Sequence, residues 1–234
     1  MEKDLEILFE DNQIIVVNKP QNIPSQDDSS GDKSMVSLIK DYIKEKYNKP
    51  GNVYIGSVHR LDRPTGGVMV YAKTSKAASR LSEQFASEVV HKTYFAVVVG
   101  SPREKKGKLV HYLKKDEVNN MVVVVPALSE NAKKAELLYE VLEEKNGYSL
   151  VKIELITGRS HQARVQMKTL GTPIFGDVKY GGTNAKKGFL NLYAVMLVFN
   201  HPTTKQKMRF ISYPPEEKDK WNLFNLEKYL LLTK

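Results

Sequence analysis

The sequence contains no cysteine among its 234 residues. That excludes a disulfide scaffold, a thiol nucleophile and every zinc site built on thiolates, those of the zinc base deaminases included, and it suits a reducing compartment. Long apolar runs are also missing. The longest, such as MVVVVPAL at 121–128, fall well short of the roughly 18 residues that span a bilayer, and the charged opening MEKDLEILFEDN is unlike a secretory signal. No internal repeat, coiled-coil heptad or low-complexity tract interrupts the chain. These absences predict a cytoplasmic protein that neither crosses nor docks on a membrane. Arginine is scarce as well: Arg60, Arg63, Arg80, Arg103, Arg159, Arg164 and Arg209 are the only seven among 36 basic residues. Four of them fall in two short segments, 59–67 and 157–164. Where lysine is the general-purpose cation, arginine placed so selectively points to a need for its planar fork, which grips carboxylates and phosphates with two parallel bonds.

An apolar content of 41% with 27% charged residues is ordinary for a globular domain, and a net charge of +9 fits a polyanionic partner. Periodicity predicts a buried strand at 14–17, a loop over 21–34, a helix at about 35–47 whose apolar residues Val36, Ile39, Ile43 and Tyr47 recur at helical spacing, a strand over GGVMVYAKT and a helix over 75–90. Beyond that, β-rich runs at short spacing with Gly, Asn and Lys turns predict a mainly antiparallel sheet. One helix over 160–171, two further strands over 189–202 and 207–215 and a closing amphipathic helix from 221 complete it. The class is α+β, a mixed, mainly antiparallel sheet with flanking helices, in a single domain over 1–234. The lysine pairs at 114–115, 133–134 and 186–187 fall at predicted turns, where solvated loop tips are the simplest reading; several on one face would make a phosphate track.

Two segments carry chemistry. In HRLDRPTGG, Asp62 lies between Arg60 and Arg63 on a loop feeding a strand, and flanking cations favour the ionised form that a nucleophile or base requires. An aspartate merely capping a turn, with two surface arginines beside it, has the same spacing. In TGRSHQARVQMKTLG, a helix from about Ser160 puts Ala163, Met167 and Leu170 on a core stripe and His161, Arg164 and Lys168 on a polar stripe beside it. Arg164 then sits at the core edge and needs a carboxylate, Asp62 or another acid. No His, Asp or Glu is spaced from His161 as a metal ligand would be.

HRLDRPTGG at 59–67 closely resembles the HRLD-x-x-T-S-G signature of the RluA family of pseudouridine synthases, and TGRSHQAR at 157–164 resembles that family's TGR-x-HQ-(I/L)-R motif. LFEDNQIIVVNKP at 8–20, HKTYFAVV at 91–98 and GTPIFGDVKYG at 171–181 agree in family order. The sister RsuA family carries GRLD in place of HRLD, so His59 and His161 place the resemblance with RluA. The catalytic-domain opening begins near Ile7, leaving no room for the S4 RNA-binding domain of many relatives. Three residues depart from the pattern: Gly66 for serine, Ala163 for a larger aliphatic, Gln166 for histidine.

The resemblance implies a pseudouridine synthase fold and isomerisation of uridine to pseudouridine in rRNA or tRNA without cofactor or metal, by a monomer. It implies Asp62 as the catalytic aspartate, Arg164 as the arginine paired with it and Tyr94 as the tyrosine packed against the target base. Arg60 would fill the stack the base leaves, and His59, Arg63, Arg159 and His161 would meet RNA. Rival readings are a non-catalytic RNA-binding protein and a glycosidase that frees uracil.

Overall fold

The computed structural model describes residues 5–181, 189–215 and 219–230; the lysine pair at 186–187 lies outside them. Within these, the chain forms two compact units, one of residues up to His91 with Ala194–Ser212, the other of Lys92–Tyr193 with the segment from Tyr213 onward.

In the first unit, β1 (Glu6–Glu10), β2 (Ile14–Lys19), β4 (Gly66–Ala72) and β10 (Leu192–Asn200) lie in that order, with β3 (Gly56–Ser57) beside β4 and β11 (Lys207–Ile211) beside β10. The pairings β1/β2, β2/β4 and β10/β11 are antiparallel. The register Ile14↔Ala72 and Val16↔Val70 puts alternate residues of both strands on one face. There they form a core with Val68, Leu197, Phe199 and, from helix α2 (Ser75–Ala86), Ala77 and Leu81. Helix α1 (Met35–Lys46) buries Val36, Ile39 and Ile43 of the predicted stripe but leaves Tyr47, its C-cap, exposed because the helix has ended there, and its first turn is capped by Ser34, whose hydroxyl accepts from the Ser37 amide. Helix α2 begins at a Thr74 cap but ends at Ala86, short of the predicted residue 90, because Val90 is already buried in the core as the chain extends into the next strand. β1 is a strand that the periodicity does not announce.

In the second unit, β5 (His91–Val99), β9 (Tyr148–Leu155), β8 (Lys133–Lys145), β6 (Lys106–Asp116) and β7 (Met121–Val125) are neighbours in that order, all paired antiparallel. Helix α3 (Gln162–Thr169) lays Val165 on Leu113, Val122, Ala135 and Tyr180. It differs from the predicted two-stripe helix: Gln162, Arg164 and Gln166 are as buried as Ala163, Val165 and Met167. The lysines at 114–115 and 133–134 are in strands rather than turns, because β6 and β8 are long, 11 and 13 residues. The closing helix is interrupted. A 3-10 turn at Trp221–Leu223 gives way to extended Phe224, and α4 (Leu226–Leu230) restarts where the Asn225 side chain accepts from the Lys228 amide. The whole is an α+β protein with a largely antiparallel sheet architecture.

Candidate active site

Asp62 sits half-buried on the loop that delivers the chain into β4, and that loop is pinned by side chains from distant sequence. Ser25 Oγ donates to the Leu61 carbonyl at 2.7 Å and accepts from the Leu61 amide at 3.1 Å. His59 Nε2 accepts from the Val70 amide at 3.1 Å while its ring stacks on Phe85, centroids 4.5 Å apart. Gln21 donates to the Pro64 carbonyl, and the Thr65 amide closes a turn on the Asp62 carbonyl at 2.9 Å. Beneath the loop lies Lys19, fully buried, whose ammonium donates to the carbonyls of Pro20 (3.0 Å), Arg63 (3.1 Å) and Thr65 (2.7 Å). Burial lowers the Lys19 pKa to about 7; the Asp62 carboxylate opposes that shift and Arg63 reinforces it. Behind the loop, Gly67 takes φ +124°, and a Cβ there would come within 2.3 Å of the Ala194 carbonyl, so only glycine fits.

Of the two arginines expected to flank Asp62, Arg60 is exposed. Arg63 turns its fork toward the loop instead, donating to the Asn22 carbonyl at 3.2 Å and to Ser30 at 3.3 Å and pairing with Asp32. The buried cation beneath the Asp62 loop is Lys19, a residue that falls within LFEDNQIIVVNKP and to which the sequence alone assigns no role.

In the second unit, Tyr94 is buried on β5, opposite Ile153 of β9. Arg164, on α3, is bound in parallel by Asp177: Nε donates to Oδ2 at 2.8 Å and Nη2 to Oδ1 at 2.7 Å, both residues buried. Asp177 in turn accepts from the amides of Lys179 and Tyr180 at 3.1 Å each. Gly176 before it, at φ +76°, brings the backbone against Phe189, whose carbonyl a Cβ would meet at 2.2 Å. The Tyr180 ring lies 5.1 Å from the Arg164 guanidinium, and its hydroxyl accepts from the Val122 amide at 2.9 Å and meets His161 Nδ1 at 2.6 Å. His161 precedes α3 in the left-handed region, φ 52°. Arg159 is exposed and its Nε donates to the Lys134 carbonyl at 2.9 Å. Asp177 and Tyr180 belong to the quoted GTPIFGDVKYG segment, yet spacing alone carries no signal for either role. Asp62 lies in one unit and Tyr94 and Arg164 in the other.

No group of three or more His, Asp or Glu side chains among the described residues could hold a metal ion, and no helix among them is long and apolar enough to cross a membrane. The family profile described as RNA pseudouridylate synthase matches residues 13–169, a span that runs from β2 through the Asp62 loop to the end of α3. The chain belongs to that family. An uncharacterised RNA pseudouridine synthase of Bacillus subtilis is 32% identical over 92% of this chain and 70% of its own length. A ribosomal large subunit pseudouridine synthase C of Vibrio vulnificus is 32% identical over 92% and 67%, and a tRNA pseudouridine synthase C of Haemophilus ducreyi is 34% identical over 88% and 89%. Among solved structures, human RNA pseudouridylate synthase domain containing 4 superposes with a TM-score of 0.76 at 26% identity, covering 91% of this chain and 89% of that one. Human RNA pseudouridylate synthase domain containing 1 shares the fold, at TM-score 0.77 and 24% identity over 99% and 97%. As an RNA pseudouridine synthase the chain is an isomerase, and the α+β architecture is that of its relatives.

Proposed function

We propose that this chain isomerises specific uridines of structured RNA, ribosomal or transfer, as a cytoplasmic monomer with one catalytic domain over residues 1–234, and that Asp62 is its catalytic aspartate. The observation that carries the reading is membership of the synthase family with an aspartate kept in its HRLD segment, on a loop pinned from four sides. Uridine and pseudouridine have the same composition. The N1–C1′ bond breaks, the base turns, C5 bonds to C1′, the C5 proton leaves to water and N1 gains one. Breaking the first bond builds positive charge on the sugar, which an ionised aspartate stabilises or captures. Arg164 supports that carboxylate, Tyr94 packs on the base, and Arg60 takes the place the base leaves in the stack. Removing a base from its stack costs a few kcal/mol, and a flat cation is a good substitute. His59, Arg63, Arg159 and His161 contribute to the RNA-contacting surface, and phosphate contacts supply sequence-independent affinity that falls with salt. No cofactor enters this scheme.

The test is release of tritium from RNA labelled at uridine C5, taken from cells that lack this protein so that the targets are unmodified. The wild-type chain releases tritium to water without added nucleotide and in the presence of a chelator. Asp62→Asn keeps size and removes charge, so release falls below detection while folding and RNA affinity are retained. No release by the wild type, or release of free uracil, overturns the reading; substantial release by the Asn variant removes Asp62 from the chemistry.

A further inference from the structure

Tyr180 touches two residues of the TGRSHQAR motif, Arg164 and His161, yet itself lies outside it. Its side chain is buried with Leu113, Val122, Ala135 and Val165, and its ring lies 5.1 Å from the Arg164 guanidinium. Its amide donates to Asp177 Oδ1 at 3.1 Å, the oxygen that also accepts from Arg164 Nη2, so one carboxylate orients the arginine and the tyrosine together. The hydroxyl accepts from the Val122 amide at 2.9 Å and lies 2.6 Å from His161 Nδ1. A main-chain N–H only donates, so the hydroxyl oxygen is the acceptor in the first of these bonds and its own proton is available to the second. A neutral imidazole carries a single ring proton. With Nδ1 accepting, that proton stands on Nε2.

Closing the helix does not account for a histidine at this position. His161 is the N-cap residue of α3, at φ 52° and ψ 18° in the left-handed region, and its side chain makes no bond to a first-turn amide. Serine, threonine, aspartate or asparagine would accept such a bond, and asparagine or glycine enters the left-handed region at less cost. The imidazole instead meets Tyr180 edge to face, the ring planes at 72° and the centroids 5.6 Å apart. His161 is half-buried, whereas the tyrosine that holds it is fully buried and tied to the backbone of β7 through the Val122 amide. A ring packed and bonded on one side in this way is preorganised, and it loses little freedom when its other nitrogen is engaged.

We propose that Tyr180 is a positioning residue of the isomerisation: its hydroxyl holds His161 as the neutral tautomer with the proton on Nε2, and His161 offers that N–H to an acceptor oxygen of the substrate. The inference rests on the reading that His161 meets RNA, and it adds the residue that decides which nitrogen carries the proton. Tyr180→Phe keeps the ring against Arg164 and removes only the hydroxyl. In tritium release from unmodified RNA its KM rises about fivefold, the worth of one neutral hydrogen bond, while kcat stays within about twofold of wild type. His161→Gln places an amide N–H near the position of Nε2 and has no tautomer to set. In that background Tyr180→Phe leaves KM unaltered, whereas a purely structural effect would carry over in full. The tautomer is read without reference to activity, from long-range nitrogen–proton NMR spectra with isotopically labelled histidine at about pH 8, above the ordinary imidazole pKa, His161 being assigned by its absence in His161→Gln. The wild type shows a protonated Nε2 and a bare Nδ1, and Tyr180→Phe a mixture of both tautomers; the wild-type spectrum decides the matter even where the Phe variant fails to fold. A proton on Nδ1 in the wild type, a KM unchanged in Tyr180→Phe, or a penalty that persists in the Gln background overturns the proposal. A wild type that holds the tautomer but releases no tritium overturns instead the reading on which it rests.

Discussion

The loop that carries Asp62 and the helix that carries Arg164 each rest on a buried cation, and the two cations are satisfied by opposite means. Lys19 spreads its ammonium over three main-chain carbonyls and so fastens a stretch of backbone. Arg164 spends two bonds on one carboxylate and so fixes its own guanidinium. A lysine surrounded by neutral carbonyls carries its desolvation largely uncompensated, which is why its pKa falls to about 7; an arginine stays charged and demands a counter-ion. Invariance of charge at Arg164 and lability of charge at Lys19 therefore make different demands on pH and on substitution.

The largest effect on stability is expected at the carboxylate. Asp177→Asn keeps an oxygen for the amides of Lys179 and Tyr180 but removes the buried carboxylate charge that binds both Nε and Nη2 of Arg164. Breaking such a pair from one side costs about 3–5 kcal/mol, to be read as a lowered urea midpoint at unchanged slope. A loss under about 1 kcal/mol would mean that Arg164 does not depend on this acid, and the contrast with Lys19 would collapse.

Lys19→Met should cost less, about 1–3 kcal/mol at neutral pH, because the Pro20 and Thr65 carbonyls lose this donor while the Arg63 carbonyl retains the Asn22 amide. The pH dependence sharpens the point. With the folded pKa near 7 and the unfolded value near 10.5, the unfolded chain binds more protons than the folded one between those limits. Wild-type stability relative to Lys19→Met therefore rises as pH goes from 7 toward 10. A flat difference between wild type and Lys19→Met would show that Lys19 stays charged.

What the sequence discloses follows the range of the interactions involved. Strands β2 and β4 are legible as short apolar runs buried along nearly their whole length, helices α1 and α2 by a helical period of burial, and the two literal motifs mark Asp62 and Arg164. Lys19 is not legible as a loop pin, since its acceptors at 63 and 65 lie 44 and 46 residues away. On α3, the stripe places Arg164 at the core edge in need of a carboxylate, which Asp177 provides, but it carries no signal for Gln162 and Gln166, which are buried by partners on other elements, the Glu136 and Ala135 carbonyls. The lysines of β6 were misplaced for a related reason, because a strand with alternating half-exposed residues has no clean apolar period to mark its length.

The smallest effect separates one pin of the Asp62 loop from the others. Ser25→Ala removes a single hydroxyl that serves both the amide and the carbonyl of Leu61, next to Asp62 in sequence, and both groups are left buried. Leaving them unsatisfied costs about 1–2 kcal/mol, less than either charged site because no ion is stranded. The loss is local, so amide hydrogen exchange at Leu61 accelerates while the Asn22 amide, bonded to the Arg63 carbonyl, keeps its protection. Uniform acceleration at both amides would mean that the loop opens as one body and that Lys19 alone does not hold its far end.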